Sequence, residues 1–451
     1  MNLIGLDIGT TSICGVLYST DRRKTLKVAT QNNEFISSSI GEYQQNPNQI
    51  LAKIKSILDE LIDFSKDNIS GISLSSQMHG ILYVDRDGEA VTPFFTWQNQ
   101  RGLKKTGEDK LETILSKKLN HPVYSGYGIV THYSLYLEDS IPLSAQYFCN
   151  IGDFVCMNLV GNKIPITDIT IANSMGICEV KTGKVLDSLK VLKDDCLKYL
   201  PEITSSTKVL GTYKNIPVIQ PIGDNQASFL GSVKEKDKSL LLNYGTAGQI
   251  SFFTKQYEEY SGFETRPLGN DEGYIHAAFS LCGGNSYKIL SRFFESVIYS
   301  LTSDENNYNL IKKMDELDLD FSTQEINCMP YFLGKRGDES QNAYFNNITE
   351  ANFTLENVVK ALVQGMVNEL YENYLNLPKE VKNKIQILVG AGNGIRKNKH
   401  LIKAVELTYK KPVKLFNLSE ESCLGSIIHA GKALGIYKDY NEGSFDIVFY
   451  D

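Results

Sequence analysis

The chain has 451 residues, more than one hydrophobic core organises well, so two domains are the natural expectation. With 42% apolar and 22% charged residues it has a globular balance, and its net charge of −7 argues against a basic footprint for nucleic acid or anionic membrane. The eight cysteines are scattered without a C-x-x-C, so their spacing suggests neither a disulfide framework nor a zinc site.

The first element is Ile4-Gly5-Leu6-Asp7-Ile8-Gly9-Thr10-Thr11-Ser12, an apolar run entering D-x-G-T. It reads as a hairpin whose turn presents backbone N–H groups and hydroxyls, a cradle for phosphate. Residues 48–64 set Ile50, Leu51, Ile54, Ile57, Leu58, Leu61 and Ile62 at helical spacing. A β-like run, Ile69–Leu74, leads to the turn Ser75-Ser76-Gln77-Met78-His79-Gly80, and a second run, Ile81–Val84, closes at Asp87-Gly88. The polar, charged stretch Ser232–Ser239 divides 1–235 from 236–451. The second half then restarts with Leu241-Leu242-Asn243-Tyr244-Gly245-Thr246-Ala247-Gly248, in which Asn243, Gly245 and Thr246 stand 236 positions after Asp7, Gly9 and Thr10. A helix over Val358–Leu370 follows, then a strand at Ile385–Val389, a glycine turn, a helix at Asn398–Leu407, a strand at Val413–Leu415 and a helix at Glu420–Leu434. Alternation of this kind is α/β architecture. No basic leader precedes Asp7, and no apolar run approaches the ~18–20 residues that cross a bilayer, so a cytoplasmic protein is expected.

Two hairpins of one pattern, each opening half of the chain, point to a duplicated core with nucleotide phosphates clamped between the halves. A P-loop is absent from the sequence. Gly9, Thr10, Thr11 and Ser12, with Gly245 and Thr246, are the phosphate-side candidates. Gly390-Ala391-Gly392-Asn393 suits a turn beneath adenine or ribose, and Gly283-Gly284 opens a helix nearby. Gly223-Asp224-Asn225 reads by itself as an ordinary turn. Just before the boundary, however, Asp224 is placed to face the second hairpin and to take the proton of an attacking hydroxyl. Asp7 is the second carboxylate at the same phosphates, and the pair fits an ATP-bound Mg²⁺. Gln77, Met78 and His79 form a loop with the donors and acceptors a polyol needs, although a lone His or Met is commonly structural. Trp97, the only tryptophan, stands with Asn99 and Arg101 as an apolar wall and polar rim for a sugar.

In this order the motifs resemble the FGGY carbohydrate kinases, almost end to end. Leu6-Asp7-Ile8-Gly9-Thr10-Thr11-Ser12 and Asn243-Tyr244-Gly245-Thr246 match the family's two phosphate hairpins, Ser76–Gly80 its sugar loop and Gly223-Asp224 its base motif. Met329-Pro330-Tyr331-Phe332-Leu333-Gly334 matches a further stretch. The resemblance implies a duplicated actin-like ATPase (ribonuclease H-like) fold, two domains with a nucleotide cleft between them. It also implies ATP with Mg²⁺, catalysis by Asp224, and sugar contacts from Gln77, Met78, His79, Trp97, Asn99 and Asp224. The first domain, 1–235, would bind sugar and the second, 236–451, ATP. Thr96–Gln98, Thr265-Arg266-Pro267 and Leu281–Gly284 look sedoheptulokinase-like, with xylulokinase the alternative and a non-catalytic sugar or nucleotide sensor the rival of another class. Asn99, Lys335 and Gln364 replace acids usual in the family. The partners expected are sugar and ATP, without nucleic acid or membrane and with room for a homodimer.

Overall fold

A computed structural model describes the chain except residues 38–40, 66–67, 205–206, 270–271, 304–307, 324, 336–337, 339, 416–419 and 445–451. In the first half, β1 (Asn2–Ile8), β2 (Ser12–Ser19) and β3 (Lys24–Asn32) form an antiparallel meander. Helix α1 (Pro47–Phe64) then crosses back to β4 (Ile69–Ser76), which lies parallel to β1. Asn46 starts α1 by accepting from the N–H groups of Asn48 and Gln49, with Pro47 in the first turn where no donor is lost. The stripe Ile50, Ile54, Ile57, Leu58 and Leu61 is fully buried against the sheet. A hairpin of β5 (Val209–Tyr213) and β6 (Ile216–Ile219) adds to the far side of β4, and the short β7 (Ile222–Gly223) pairs with its end. Helix α2 (Asp224–Ser232) follows at once.

The second half repeats this path. β8 (Ser239–Tyr244), β9 (Gly248–Thr254), β10 (Glu264–Gly269) and β11 (Gly273–Ser280) are antiparallel neighbours, and β12 (Ile387–Ala391) and β13 (Val413–Leu415) join in parallel beside β8. The sheet order β3-β2-β1-β4-β6 recurs as β11-β9-β8-β12-β13, with the same strand directions. Helices α3 (Gly283–Thr302), α4 (Leu355–Leu375), α5 (Gly392–Lys397), α6 (Lys399–Tyr409) and α7 (Glu421–Ala433) complete it. Each sheet has its own core, and a third cluster joins Leu3, Ile222, Ala227 and Leu230 of the first half to Leu241, Val389, Leu424 and Ile428 of the second.

One sequence expectation shifts. The strand expected at Ile385–Val389 runs instead from Ile387 to Ala391, which puts Gly390 and Ala391 inside the sheet and turns the following glycines into α5. Gly390 pairs with Leu242 and Leu415, and a Cβ there would lie 2.7 Å from the Leu415 side chain, so this glycine serves packing. Within the charged stretch 232–239, Glu235, Asp237 and Lys238 are exposed and Lys236 is not. Lys236 is buried, its ammonium 5.4 Å from the Phe253 ring centre and 5.5 Å from that of Tyr440. Burial lowers its pKa to about 8.

Candidate active site

Asp7, near the end of β1, pairs with Cys14 on β2 and Ser75 on β4. The Ser75 hydroxyl donates to its Oδ1. Asp224 is the first residue of α2, anchored from behind where Gly223 N–H donates to Thr170 Oγ1 at 3.1 Å. Backbone N–H groups of Asn225 and Met78 support its carboxylate, and the Arg266 guanidinium of β10 stands beside it. Burial raises Asp7 to about 7, opposed by the Ser75 bond and reinforced by the charges of Asp224, Glu420 and Glu421. Burial also raises Asp224 to about 6, with Arg266 opposing. One residue on, Asn225 Nδ2 donates to Gln249 Oε1 at 2.8 Å, and Gln249 is the cross-strand partner of Asn243 in the second hairpin. The residue after Asp224 is therefore tied to the strand pair of the second hairpin.

Four hydrogen bonds tie the first hairpin to the sugar-loop candidates. Trp97 Nε1 donates to Thr10 Oγ1 at 3.0 Å, and Thr10 Oγ1 to Gln77 Oε1 at 3.3 Å. Gln77 Nε2 donates to Gln45 Oε1 at 2.8 Å, and Gln45 Nε2 returns to the Thr10 carbonyl at 2.7 Å. Gln77 is thus buried and engaged within the protein, a brace more than a sugar contact. Trp97 stays largely exposed. His79 has φ +72°, a left-handed backbone uncommon for a side-chain-bearing residue. Its N–H donates to Ser174 Oγ at 3.0 Å, its Nδ1–H donates to the Ser174 carbonyl at 2.7 Å, and its ring stacks on Tyr127 at 4.7 Å. A cavity of about 520 Å³ is lined by His79, Tyr127, Asn173, Ser174, Tyr257 and Arg266. It shares Tyr124, Phe263 and Glu264 with an adjoining cavity of about 460 Å³. Buried Met78 lies behind, its sulfur 3.8 Å from Arg266 Nη1. Arg266 is itself committed, with an ion pair to Glu264 at 2.8 Å and the Phe279 ring at 4.8 Å.

Asn99 departs from the expected sugar set. It is buried, with Nδ2 donating to the Glu42 carbonyl at 2.6 Å and Oδ1 accepting from Arg101 N–H at 3.1 Å, so both ends serve a turn. Gln364 is equally internal, donating at 2.9 Å to both Asn368 and Thr408. Lys335 reaches Glu372 at 3.7 Å on the rim of the smaller cavity.

On the nucleotide side, a cavity of about 600 Å³ is lined by Gly245, Thr246, Gly284, Gly392 and Asn393, together with Lys288, Lys397 and Met366, which the sequence had not singled out. Gly283, Gly390 and Ala391 are not among its lining residues. A Cβ on Gly283 would lie 2.3 Å from the Ala247 carbonyl carbon, and the other two belong to β12. The Gly284 and Asn285 N–H groups donate to the Gly245 and Thr246 carbonyls at 2.9 and 3.0 Å, so the start of α3 grips the hairpin it follows. In the first hairpin Gly9 N–H closes on the Ser12 carbonyl at 3.0 Å, and Asn33 brackets the turn by bonds to Gly9 and Thr11.

A repeated five-strand path, with a hairpin in each half and an acid between them, defines the actin-like ATPase class of fold. The chain belongs to the FGGY family of carbohydrate kinases, whose N-terminal domain matches residues 2–231. It is therefore a carbohydrate kinase, a phosphotransferase that uses ATP and a sugar hydroxyl acceptor. Across 434 residues it is 23% identical to the xylulose kinase of Staphylococcus xylosus, covering 88% of this chain and 84% of that one. Likeness to the gluconokinase of Bacillus licheniformis is 22% (99% and 89% covered), and to the sedoheptulokinase of Mus musculus 23% (91% and 93%). The solved xylulose kinase of Lactobacillus acidophilus superposes with a TM-score of 0.83 at 21% identity, covering 100% of this chain and 93% of that one. No helix among the described residues is long and apolar enough to cross a membrane.

Proposed function

We propose that this kinase transfers the γ-phosphoryl group of ATP to the terminal hydroxyl of a ketose, with sedoheptulose the first candidate and xylulose the second. The observation that carries the reading is the place of Asp224, at the head of α2 between the Met78 backbone and the second hairpin. Asp224 accepts the proton of the attacking hydroxyl, and His79 and Trp97 contact the sugar from the first half, 1–235. The second half, 236–451, holds the nucleotide through Gly245, Thr246, Gly392 and Asn393. Phosphoryl transfer asks the protein mainly for positioning and charge stabilisation, which the two hairpins would supply.

Asp7 and Asp224, the second of which raises the pKa of the first, together suit a divalent cation. Bound Mg²⁺ would neutralise charge on the triphosphate. The sugar cavity also favours a neutral acceptor over a sugar acid. Arg266, the one Lys or Arg among its described lining residues, is already paired with Glu264. Sedoheptulose is placed first because two adjoining cavities leave room for a longer chain, alongside the Thr265-Arg266-Pro267 resemblance.

The test is ADP release measured with sedoheptulose, xylulose, ribulose, gluconate and glycerol at equal concentration. A ketose should be preferred, and Asp224→Ala should lower turnover by ~10²–10⁴ while leaving ATP binding intact. Preference for gluconate would overturn the substrate class, and turnover without sugar, or none, would favour the sensor.

A further inference from the structure

Cys14 on β2 and Cys423 in the first turn of α7 are 409 positions apart in sequence. The fold brings their sulfurs and a carboxylate oxygen of Glu420 within 4.8 Å of one another. Among the described residues this is the one such convergence of His, Cys, Asp or Glu side chains. We propose that Cys14, Glu420 and Cys423 form a site for a thiophilic divalent cation of the zinc class, joining the two halves of the molecule.

The ligand spacing and its surroundings support it. A tetrahedral ion with thiolates at about 2.3 Å needs ligand atoms about 3.7 Å apart, so closing the site takes a contraction of about 1 Å at most. Thr30 Oγ1 donates to Cys14 Sγ at 3.5 Å, the kind of outer-shell bond that orients a coordinating thiolate. Cys423 lies in the first turn of α7, a helix of 13 residues, and its buried thiol holds its proton until a metal displaces it. Both sulfurs are buried and Glu420 is only partly so, so a cation would enter from the Glu420 side. On binding, each thiol releases its proton to solvent as its metal–sulfur bond forms, and no redox change occurs.

The site is separate in chemistry from the Asp7–Asp224 pair, whose oxygen donors suit a hard cation. Because β2 carries Cys14 opposite Asp7, an occupied site would hold α7 against the first phosphate hairpin.

Co²⁺ alone, titrated into the full-length reduced protein, reports on it. One equivalent should produce thiolate-to-cobalt charge-transfer absorption that Zn²⁺ abolishes, and Zn²⁺ should raise the melting temperature. Cys14→Ser and Cys423→Ser should each lose the band. Glu420→Gln, at a partly exposed position, should keep it with affinity weakened about tenfold or more. A carboxylate-only site binds Co²⁺ without that band, so occupancy of the Asp7–Asp224 pair cannot imitate it. No band in the wild-type chain, or a band of unchanged affinity in Glu420→Gln, overturns the proposal even if the cysteine variants fail to fold.

Discussion

Asp7 and Asp224 are both half-buried, and their situations differ by what stands beside them. Asp224 has Arg266 and backbone N–H groups, whereas Asp7 has a serine hydroxyl and three neighbouring acids. Burial dominates both shifts, and in each case it favours the protonated form. A base must be ionised to take a proton, so in the proposed role the raised value of Asp224 would set an acid limb on activity. kcat/KM is expected to climb as pH rises through about 6 and to level off above that, in a rate profile collected with the preferred ketose. Asp7→Asn removes a like charge, so the limb should move to lower pH while the KM for Mg-ATP rises. A limb that stays in place would mean that the two acids do not sense one another.

At the scale of elements, the first hairpin and the sugar loop act as one unit because Gln45 joins them. Its amide spans the Thr10 carbonyl and the Gln77 side chain, and Trp97 enters the same ring through Thr10. Gln45→Leu would leave a buried carbonyl and a buried amide without their partner, a loss of about 1–3 kcal/mol. The expected outcome is a lower kcat with KM for ATP nearly unchanged, and a larger share of ATP hydrolysed without sugar, since the hairpin no longer follows the loop. Equal losses in kcat of both reactions would mark Gln45 as merely structural. The sequence could not show this, because Gln45 lies in a strand of two residues and so carries no periodicity. The hairpins, by contrast, were legible because D-x-G-T and its N-x-G-T echo are local patterns that phosphate chemistry explains. Asn99 and Gly390 were misjudged for the converse reason. An amide beside Trp97 and a glycine after an apolar run look like site residues, and only the Glu42 carbonyl and the Leu415 side chain, distant in sequence, reveal their packing roles. The core stripe of α1 needed no such partner, since helical spacing alone declares it.

Across the whole molecule, the two halves meet where α2 crosses α7, and glycines make the crossing close. A Cβ on Gly231 would lie 1.9 Å from the Glu421 carbonyl oxygen, and one on Gly425 would lie 1.8 Å from that of Ala227. Since α2 begins at Asp224 and α7 follows Glu420, this contact sets how the base of the first half faces the acids of the second. Kinases that shield their reaction from water need such a joint to hold a distance while still allowing the halves to close. Gly425→Ala forces backbone against backbone, for which no side-chain rotation gives relief, so the helices must separate. A loss of about 1–3 kcal/mol in stability is expected from overpacking alone, read from denaturant unfolding. Turnover should fall further than that loss explains, because separating the helices carries Asp224 away from the second hairpin, where Asn225 and Gln249 now hold it. Comparing kcat with nucleotide affinity separates the two effects. ADP binding, proposed for the cavity of the second half, should survive the substitution, while phosphoryl transfer, which would need both halves in register, should not. If transfer persisted at the wild-type rate in the folded variant, the crossing would be a packing contact without influence on the site.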